Sequence, residues 1–193
     1  MRNFNVNEII KLLKPFSAEL EANAAVAILL KPDEQDMDIL FVKRAENPRD
    51  PWSGQIALPG GKRSIKDRDL KETVFREILE ETGINLFDRC SFLGVTAPVR
   101  SQLNPEIRVL PFVFLLEHEH TVRLNMDELE RYYWIPMGDL IRNERAARFR
   151  FGTRPAFIVG DVIIWGLTFR ILKGFFQALS RHRAYAHKGG NIS

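Results

Sequence analysis

The sequence predicts an α/β or α+β fold, and three observations carry that reading. About seven short apolar runs bounded by Pro, Gly and Asp have the length and composition of strands. Helical periodicity marks segments near 70–82, 138–147 and 168–179. Strands and helices are interspersed along the chain, with no long tract of either alone. Periodicity by itself does not choose between α/β and α+β. With 193 residues, 45% of them hydrophobic and 27% charged, the chain is long enough for one soluble domain over 1–193 with a real core.

In order along the chain, residues 6–20 read as an amphipathic helix. Ile9, Ile10, Leu12 and Leu13 are its apolar members, and Pro15 is a kink or break. The apolar run 24–30 and the segment 37–43 read as two strands joined by a turn at Pro32, hence a hairpin. A loop with two prolines follows over 44–54, and 55–58 is a short strand leading into the turn Pro59-Gly60-Gly61. The helix over 70–82 comes next. Residues 91–99 and 108–116 read as strands around a polar loop, 100–106, that could meet a substrate or simply face solvent. His118 and His120 alternate with Glu in a charged turn and have no third ligand at a metal spacing. Asp127 and Glu128 precede an aromatic strand at 132–135, a short helix follows over 138–147, and Gly160-Asp161 turns a hairpin between 156–159 and 162–165. The chain closes with a helix over about 168–180, and its basic end, 181–188, reads as a frayed tail.

Bulk properties narrow the function classes. Net charge is +3 with a pI near 9.1, a small and dispersed excess that suits an anionic small molecule and does not point to nucleic acid. Cys90 stands alone, which rules out an intrachain disulfide and a cysteine-built zinc site and fits a reducing, cytoplasmic setting. The first residues are polar, so no secretory signal is expected, and no apolar run approaches the ~18 residues of a membrane span. The oligomeric state is left open, a homodimer included.

The chemistry is concentrated in residues 60–84. On a helix at about 100° per residue, Val74, Phe75, Ile78 and Leu79 form one stripe, while Glu77, Glu80 and Glu81 neighbour one another on the other side. Gly83 is placed to stop the helix. Like charges at this spacing cost an isolated helix roughly 0.2–0.5 kcal/mol per pair. Arg76 can offset part of this through an i, i+4 contact with Glu80, but it cannot neutralise three acids. A hard divalent cation with oxygen ligands could. The alternative is a solvated acidic face, the common fate of such clusters.

The neighbouring residues favour the cation. Arg76-Glu77-Ile78-Leu79-Glu80-Glu81-Thr82-Gly83-Ile84 resembles the REUxEExGU half of the Nudix box, U being a bulky aliphatic residue, and Gly61 stands as the opening glycine of that box. Asp67 holds the position where the box usually has Glu, with Asp69 the next acid, and fourteen residues rather than thirteen separate Gly61 from Arg76. Upstream, Arg44, Ala45 and Arg49 keep the spacing of the LLTxR(S/A)x3Rx3Gx3FPGG motif of the coenzyme A pyrophosphatase subgroup. Val42 stands for Thr, Leu58 for Phe, and four residues rather than three separate Arg49 from Gly54. Trp165-Gly166-Leu167-Thr168 is also similar to the strand-to-helix junction of that subgroup.

The resemblance spans roughly residues 24–180 and implies a Nudix fold, a mixed sheet sandwiched between helices. It implies Mg²⁺ or Mn²⁺ bound by Glu77, Glu80, Glu81 and the Gly61 carbonyl. Arg76 would orient the carboxylates, Arg44 and Arg49 would clamp phosphate, and an acid from a separate loop, Glu128, would complete the site or hold the attacking water. Glu106 and Glu130 compete for that last role. The implied activity is hydrolysis of a nucleoside-diphosphate derivative, coenzyme A first, with ADP-ribose or another nucleotide sugar as the enzymatic alternative. A module that binds a nucleotide without cleaving it is the alternative of another class, and retention of all three helix acids and Arg76 argues against it.

Overall fold

Strand β1 (Ala24–Pro32) is the axis of a mixed eight-stranded sheet in the computed structural model, which describes residues 5–17, 20–34, 36–48 and 52–189, the last five by backbone alone. Strand β2 (Met37–Arg44) returns antiparallel beside β1, with Leu30 opposite Ile39, as the expected hairpin. On the other side β7 (Arg108–Leu116) runs parallel to β1, and β5 (Cys90–Val95) pairs antiparallel with β7. A parallel pair needs a long crossover, and that connection carries helix α2 (Leu70–Thr82). Strands β3 (Ile56–Ala57) and β8 (Leu129–Pro136) both pair with β2. The Pro-Gly-Gly turn opens into a further short strand, β4 (Gly60–Lys62), paired with the start of β1.

β1 is buried on both faces, which explains its unbroken apolar run. Alternate residues feed two cores. Ile28 and Leu30 join Ile39, Phe41 and Val113 under helix α4 (Gly166–Gly189), whose Phe169, Leu172 and Phe176 pack there. Ala25, Ala27 and Leu29 join Leu40, Phe112 and Phe114 under α2 through Leu70, Val74 and Ile78. At about 1.5–3 kcal/mol per fully buried large apolar side chain, these two layers hold α2 and α4 on opposite faces of the sheet.

Several expectations need correction. The helix expected over 6–20 stops after α1 (Val6–Ile10). Leu12 and Leu13 bond three residues back, and Lys14 then exchanges two backbone hydrogen bonds with Val95, at 3.0 and 2.9 Å. Pro15 has no N–H to continue a helix. The strand expected over 91–99 is two, β5 and β6 (Val99–Arg100), both against β7. The helix expected over 138–147 ends with α3 (Met137–Arg142) at Asn143, and the chain continues as β9 (Glu144–Phe149). β9 pairs with β10 (Gly152–Val159), which pairs with β11 (Val162–Trp165), making a separate three-stranded sheet. In β9 only Ala147 is buried, too little apolar surface to hold a helix face, so cross-strand pairing wins. The closing helix starts at Gly166 and continues through the basic end to Gly189. Among the described residues no helix is long and apolar enough to cross a membrane.

Candidate active site

Helix α2 is fixed at both ends. The Asp69 side chain caps it, accepting from the Glu72 N–H at 2.9 Å, and Gly83, at φ +70°, closes it with an N–H to the Leu79 carbonyl. Val74 and Ile78 are buried against the sheet, so the opposite side carries the acids.

Arg76 organises that side. Its Nε and Nη2 donate to the two oxygens of Asp67 at 3.0 and 2.9 Å, a bidentate pair, while Nη1 reaches Glu77 at 2.8 Å and Glu80 at 2.9 Å. Asp67 is only 5% exposed, and it also accepts from the Thr73 hydroxyl and the Ser64 N–H. The Arg76 hydrogen bonds hold the Asp67 carboxyl well below the usual range, with the Ser64 N–H and the Thr73 hydroxyl acting in the same direction against burial. In return, Asp67 raises the Arg76 guanidinium above its ordinary pKa. The one-residue-longer loop therefore places Asp67 as the anchor of Arg76 and Asp69 as a helix cap.

Glu77 and Glu81 sit against the Pro-Gly-Gly turn. The Gly60 N–H donates to Glu81 Oε2 at 2.8 Å. Gly60 has φ +137°, and a Cβ there would lie 2.3 Å from the Ala25 carbonyl oxygen, so both conformation and space demand glycine. A Cβ on Gly61 would lie 2.5 Å from the Glu77 carboxyl carbon. The absent side chain is what lets that carboxylate lie over the backbone. Burial pushes Glu81, 3% exposed, up to about 8; the Gly60 N–H and Arg44 oppose this, and Glu77 and Glu128 reinforce it. Burial also raises Glu77, with Arg76 opposing and Glu80 and Glu128 reinforcing.

These groups open into a cavity of about 1520 Å³. One wall holds Glu77, Glu81, Glu128, Arg44, Gly61 and Lys62. Glu128 lies just before β8, where its carbonyl accepts from the Ala45 N–H at 2.8 Å. That contact ties it to the end of β2 beside Arg44. The other wall comes from the three-stranded sheet and the start of α4, including Phe151, Arg154, Trp165 and Thr168. Loop residues Ser101, Gln102 and Leu103 contribute an edge.

The structure thus brings together Glu77, Glu81, Glu128, Arg44 and Gly61. It holds Glu80 outside the cavity lining, 56% exposed and paired with Arg76. Arg49 lies outside the described residues. Of the two competitors to Glu128, Glu130 pairs with Lys43 at 2.8 Å, and the Glu106 backbone N–H donates to the Asn104 side chain at 3.3 Å; neither lines the cavity. Among the described residues no three metal-type side chains converge on one point. The donor chemistry nevertheless fits a divalent cation. Two carboxylates whose pKa values burial raises against the pull of Arg76 and Arg44 are what a hard, oxygen-seeking ion would neutralise. Sequence reasoning missed Lys62, Trp52, Tyr133 and the aromatic wall, which share no motif spacing. For Asp67, the signal was that it holds the position where the box usually has Glu.

Residues 21–157 match the NUDIX domain family. The chain is 30% identical over 138 residues to the peroxisomal coenzyme A diphosphatase ndx-8 of Caenorhabditis elegans, covering 70% of this chain and 57% of that protein. It is 28% identical over 182 residues to the mitochondrial coenzyme A diphosphatase NUDT8 of Homo sapiens, covering 88% and 76%. The chain spans 37% of the length of an uncharacterized Schizosaccharomyces pombe protein that it matches at 33% identity, so its relatives differ widely in length. Among solved structures, the MutT protein of Methanosarcina mazei Go1 superposes with a TM-score of 0.54 at 23% identity, covering 84% of this chain and 94% of that one, a likeness of fold. This chain belongs to the NUDIX family, pyrophosphatases that generally use divalent metal ions.

Proposed function

We propose that this chain hydrolyses the pyrophosphate of coenzyme A, giving 3′,5′-ADP and 4′-phosphopantetheine. One observation carries the reaction class: Glu77, Glu81, Glu128 and Arg44 face one cavity beside the Gly60-Gly61 turn. The substrate choice is supported by the Arg44-Ala45 spacing and by two relatives named as coenzyme A diphosphatases. At 1520 Å³ the cavity exceeds the roughly 300–1,000 Å³ of sites for drug-sized ligands, which suits a long substrate.

Glu77, Glu80, Glu81 and the Gly61 carbonyl would hold Mg²⁺ or Mn²⁺, with Glu80 leaving its pairing with Arg76. When bound, such an ion neutralises phosphate oxygens and lowers the pKa of water. Arg44 holds a phosphate by its guanidinium fork. Arg76, clamped by Asp67, positions the Glu77 carboxylate. Glu128 orients the attacking water and takes its proton. Water oxygen bonds to one phosphorus as the bridging P–O bond breaks, and the second phosphate leaves with its oxygen. We place this activity in the cytoplasm, on a small-molecule nucleotide substrate, with neither nucleic acid nor membrane as partner. The lone Cys90 supports a reducing compartment.

The test is hydrolysis by purified protein of coenzyme A and ADP-ribose, with Mg²⁺ and Mn²⁺ in separate series and the products resolved by chromatography. Coenzyme A should give the higher kcat/KM and both named products. A much higher kcat/KM for ADP-ribose would overturn the coenzyme A assignment while leaving pyrophosphate hydrolysis intact.

A further inference from the structure

The cavity lining also contains an arginine that pairs with no carboxylate among the described residues. Arg170 lines the cavity, and its Nη2 donates to the Arg100 carbonyl at 2.6 Å. Its Nε is buried without a partner, and among the described residues no carboxylate pairs with it. Burial alone lowers its pKa. A buried Nε N–H left without an acceptor is costly, and an anion would complete it.

Two further features converge on the same place. Strand β11 passes into α4 with no intervening loop, because Gly166 turns the chain at φ +64°, a left-handed conformation open to glycine. The N-terminus of this 24-residue helix thereby borders the cavity through Gly166, Leu167 and Thr168. First-turn N–H groups have no intrahelical acceptor, and the helix dipole is positive there. The Thr168 side chain is polar, only 9% exposed and lines the cavity, yet its hydroxyl has no hydrogen-bond partner among the described residues.

We propose that the first turn of α4 is a phosphate-monoester subsite, built from the helix N-terminus, the Thr168 hydroxyl and the Arg170 guanidinium. It reads a phosphate separate from the pyrophosphate being cut. The inference rests on the coenzyme A reading. Coenzyme A carries a 3′-phosphate, whereas dephospho-coenzyme A is the same molecule without it. These residues lie beyond residue 157, where the family match ends, so the subsite lies outside the matched domain segment.

The experiment compares coenzyme A with dephospho-coenzyme A as substrates of the full chain and of Arg170→Gln, Arg170→Lys and Thr168→Val. Hydrogen bonds to charged groups set the scale. Arg170→Gln should raise KM for coenzyme A by about 10- to 100-fold with kcat within about threefold, and should leave KM for dephospho-coenzyme A within about twofold. Arg170→Lys should recover part of the loss, and Thr168→Val should show a smaller loss of the same selective kind. An equal loss on both substrates would make Arg170 a strut for the Arg100 loop and overturn the subsite, as would no loss on either. Calorimetry without metal gives a readout independent of turnover. Wild type should bind 3′,5′-ADP about tenfold or more tightly than 5′-AMP, and Arg170→Gln should erase that preference. If wild type cleaves neither coenzyme while the binding preference persists, the coenzyme A reading falls and the subsite stands. Equal binding of the two nucleotides by wild type overturns the subsite.

Discussion

The carboxylates that line the cavity come from a nearly consecutive stretch, residues 60–84, joined by Glu128, whereas its other side draws on residues 101–103, 151–155 and 161–171. In the first, a short strand, a loop and one helix pair Gly60 with Glu81, Asp67 with Arg76 and Arg76 with Glu77, and lay Gly61 against the Glu77 carboxylate. In the second, an edge of a small sheet meets a helix start and a distant loop. The first wall is dense in charge and closely bonded. The second is aromatic, with Phe149, Phe151 and Trp165 in mutual contact at 4.7–5.2 Å and Arg154 over the Phe151 ring. The contrast suggests a division of labour. Local register sets the reacting groups, and tertiary assembly sets what surrounds the substrate. Substitutions on each side separate the two walls.

The largest expected effect is at Glu81. On the proposed metal site, Glu81→Gln removes one charged ligand and should lower kcat by about 10³-fold or more. Stability should move the other way. Folded Glu81 has its pKa pushed up to about 8, above the unfolded value near 4.3. The folded state therefore binds the extra proton between those values. Metal-free wild type should lose stability as pH rises from about 5 to 8, and Glu81→Gln should lack that slope. Urea titrations across pH measure it. A variant less stable than wild type at pH 8 would show that the carboxylate is a structural anchor.

Next comes the anchor beneath the same wall. Breaking a buried ion pair costs about 3 kcal/mol or more, so Asp67→Ala should lower unfolding free energy by that order. The Asp67 pKa is depressed in the fold, so its stabilisation is full above about pH 4 and is lost as pH falls below it toward the folded value. Wild type should show this acid-side loss and Asp67→Ala should not. Denaturant melts at pH 3 and pH 7 decide the matter.

How much of this was legible in sequence follows the same division. The acids of α2, the glycine turn and the stop at Gly83 were readable because a helix converts spacing directly into neighbourhood. The two-faced burial of β1 was readable from an unbroken apolar run. The pairing of β9 was not, because Glu144–Phe149 carries helix-forming residues and reveals itself as a strand only against β10. Asp67 was visible as an acid but not as the partner of Arg76, since a loop rather than a helix sets their distance. The aromatic wall was invisible for a similar reason: Phe151 and Trp165 meet through strand pairing and cavity shape, which no linear spacing encodes.

Glu128 stands between the walls, on a loop but facing the helix acids. Glu128→Gln should reduce kcat by about 10²-fold, the scale of a lost acid–base group, with little change in melting temperature. Glu106→Gln and Glu130→Gln should do much less, since neither side chain lines the cavity. If Glu106→Gln is crippled while Glu128→Gln stays within about threefold of wild type, the auxiliary acid sits on the 100–106 loop and the carboxylate wall extends onto that loop.

The smallest expected effect lies on the facing wall, at Phe151. Its ring is 56% exposed, lines the cavity and packs on Phe149 and Trp165. Little of the core depends on it, so Phe151→Ala should leave melting temperature nearly unchanged. An aromatic contact with substrate contributes about 0.5–1.5 kcal/mol beyond buried area, which corresponds to a rise in KM of roughly two- to tenfold. Because Phe151 is far in sequence and chemistry from Glu77, Glu81 and Glu128, kcat should stay within about twofold. Steady-state kinetics with coenzyme A read both constants in one experiment. A fall in kcat with KM unchanged would mean that the aromatic wall helps to align the reacting phosphorus, and the separation between a wall that reacts and a wall that binds would no longer hold.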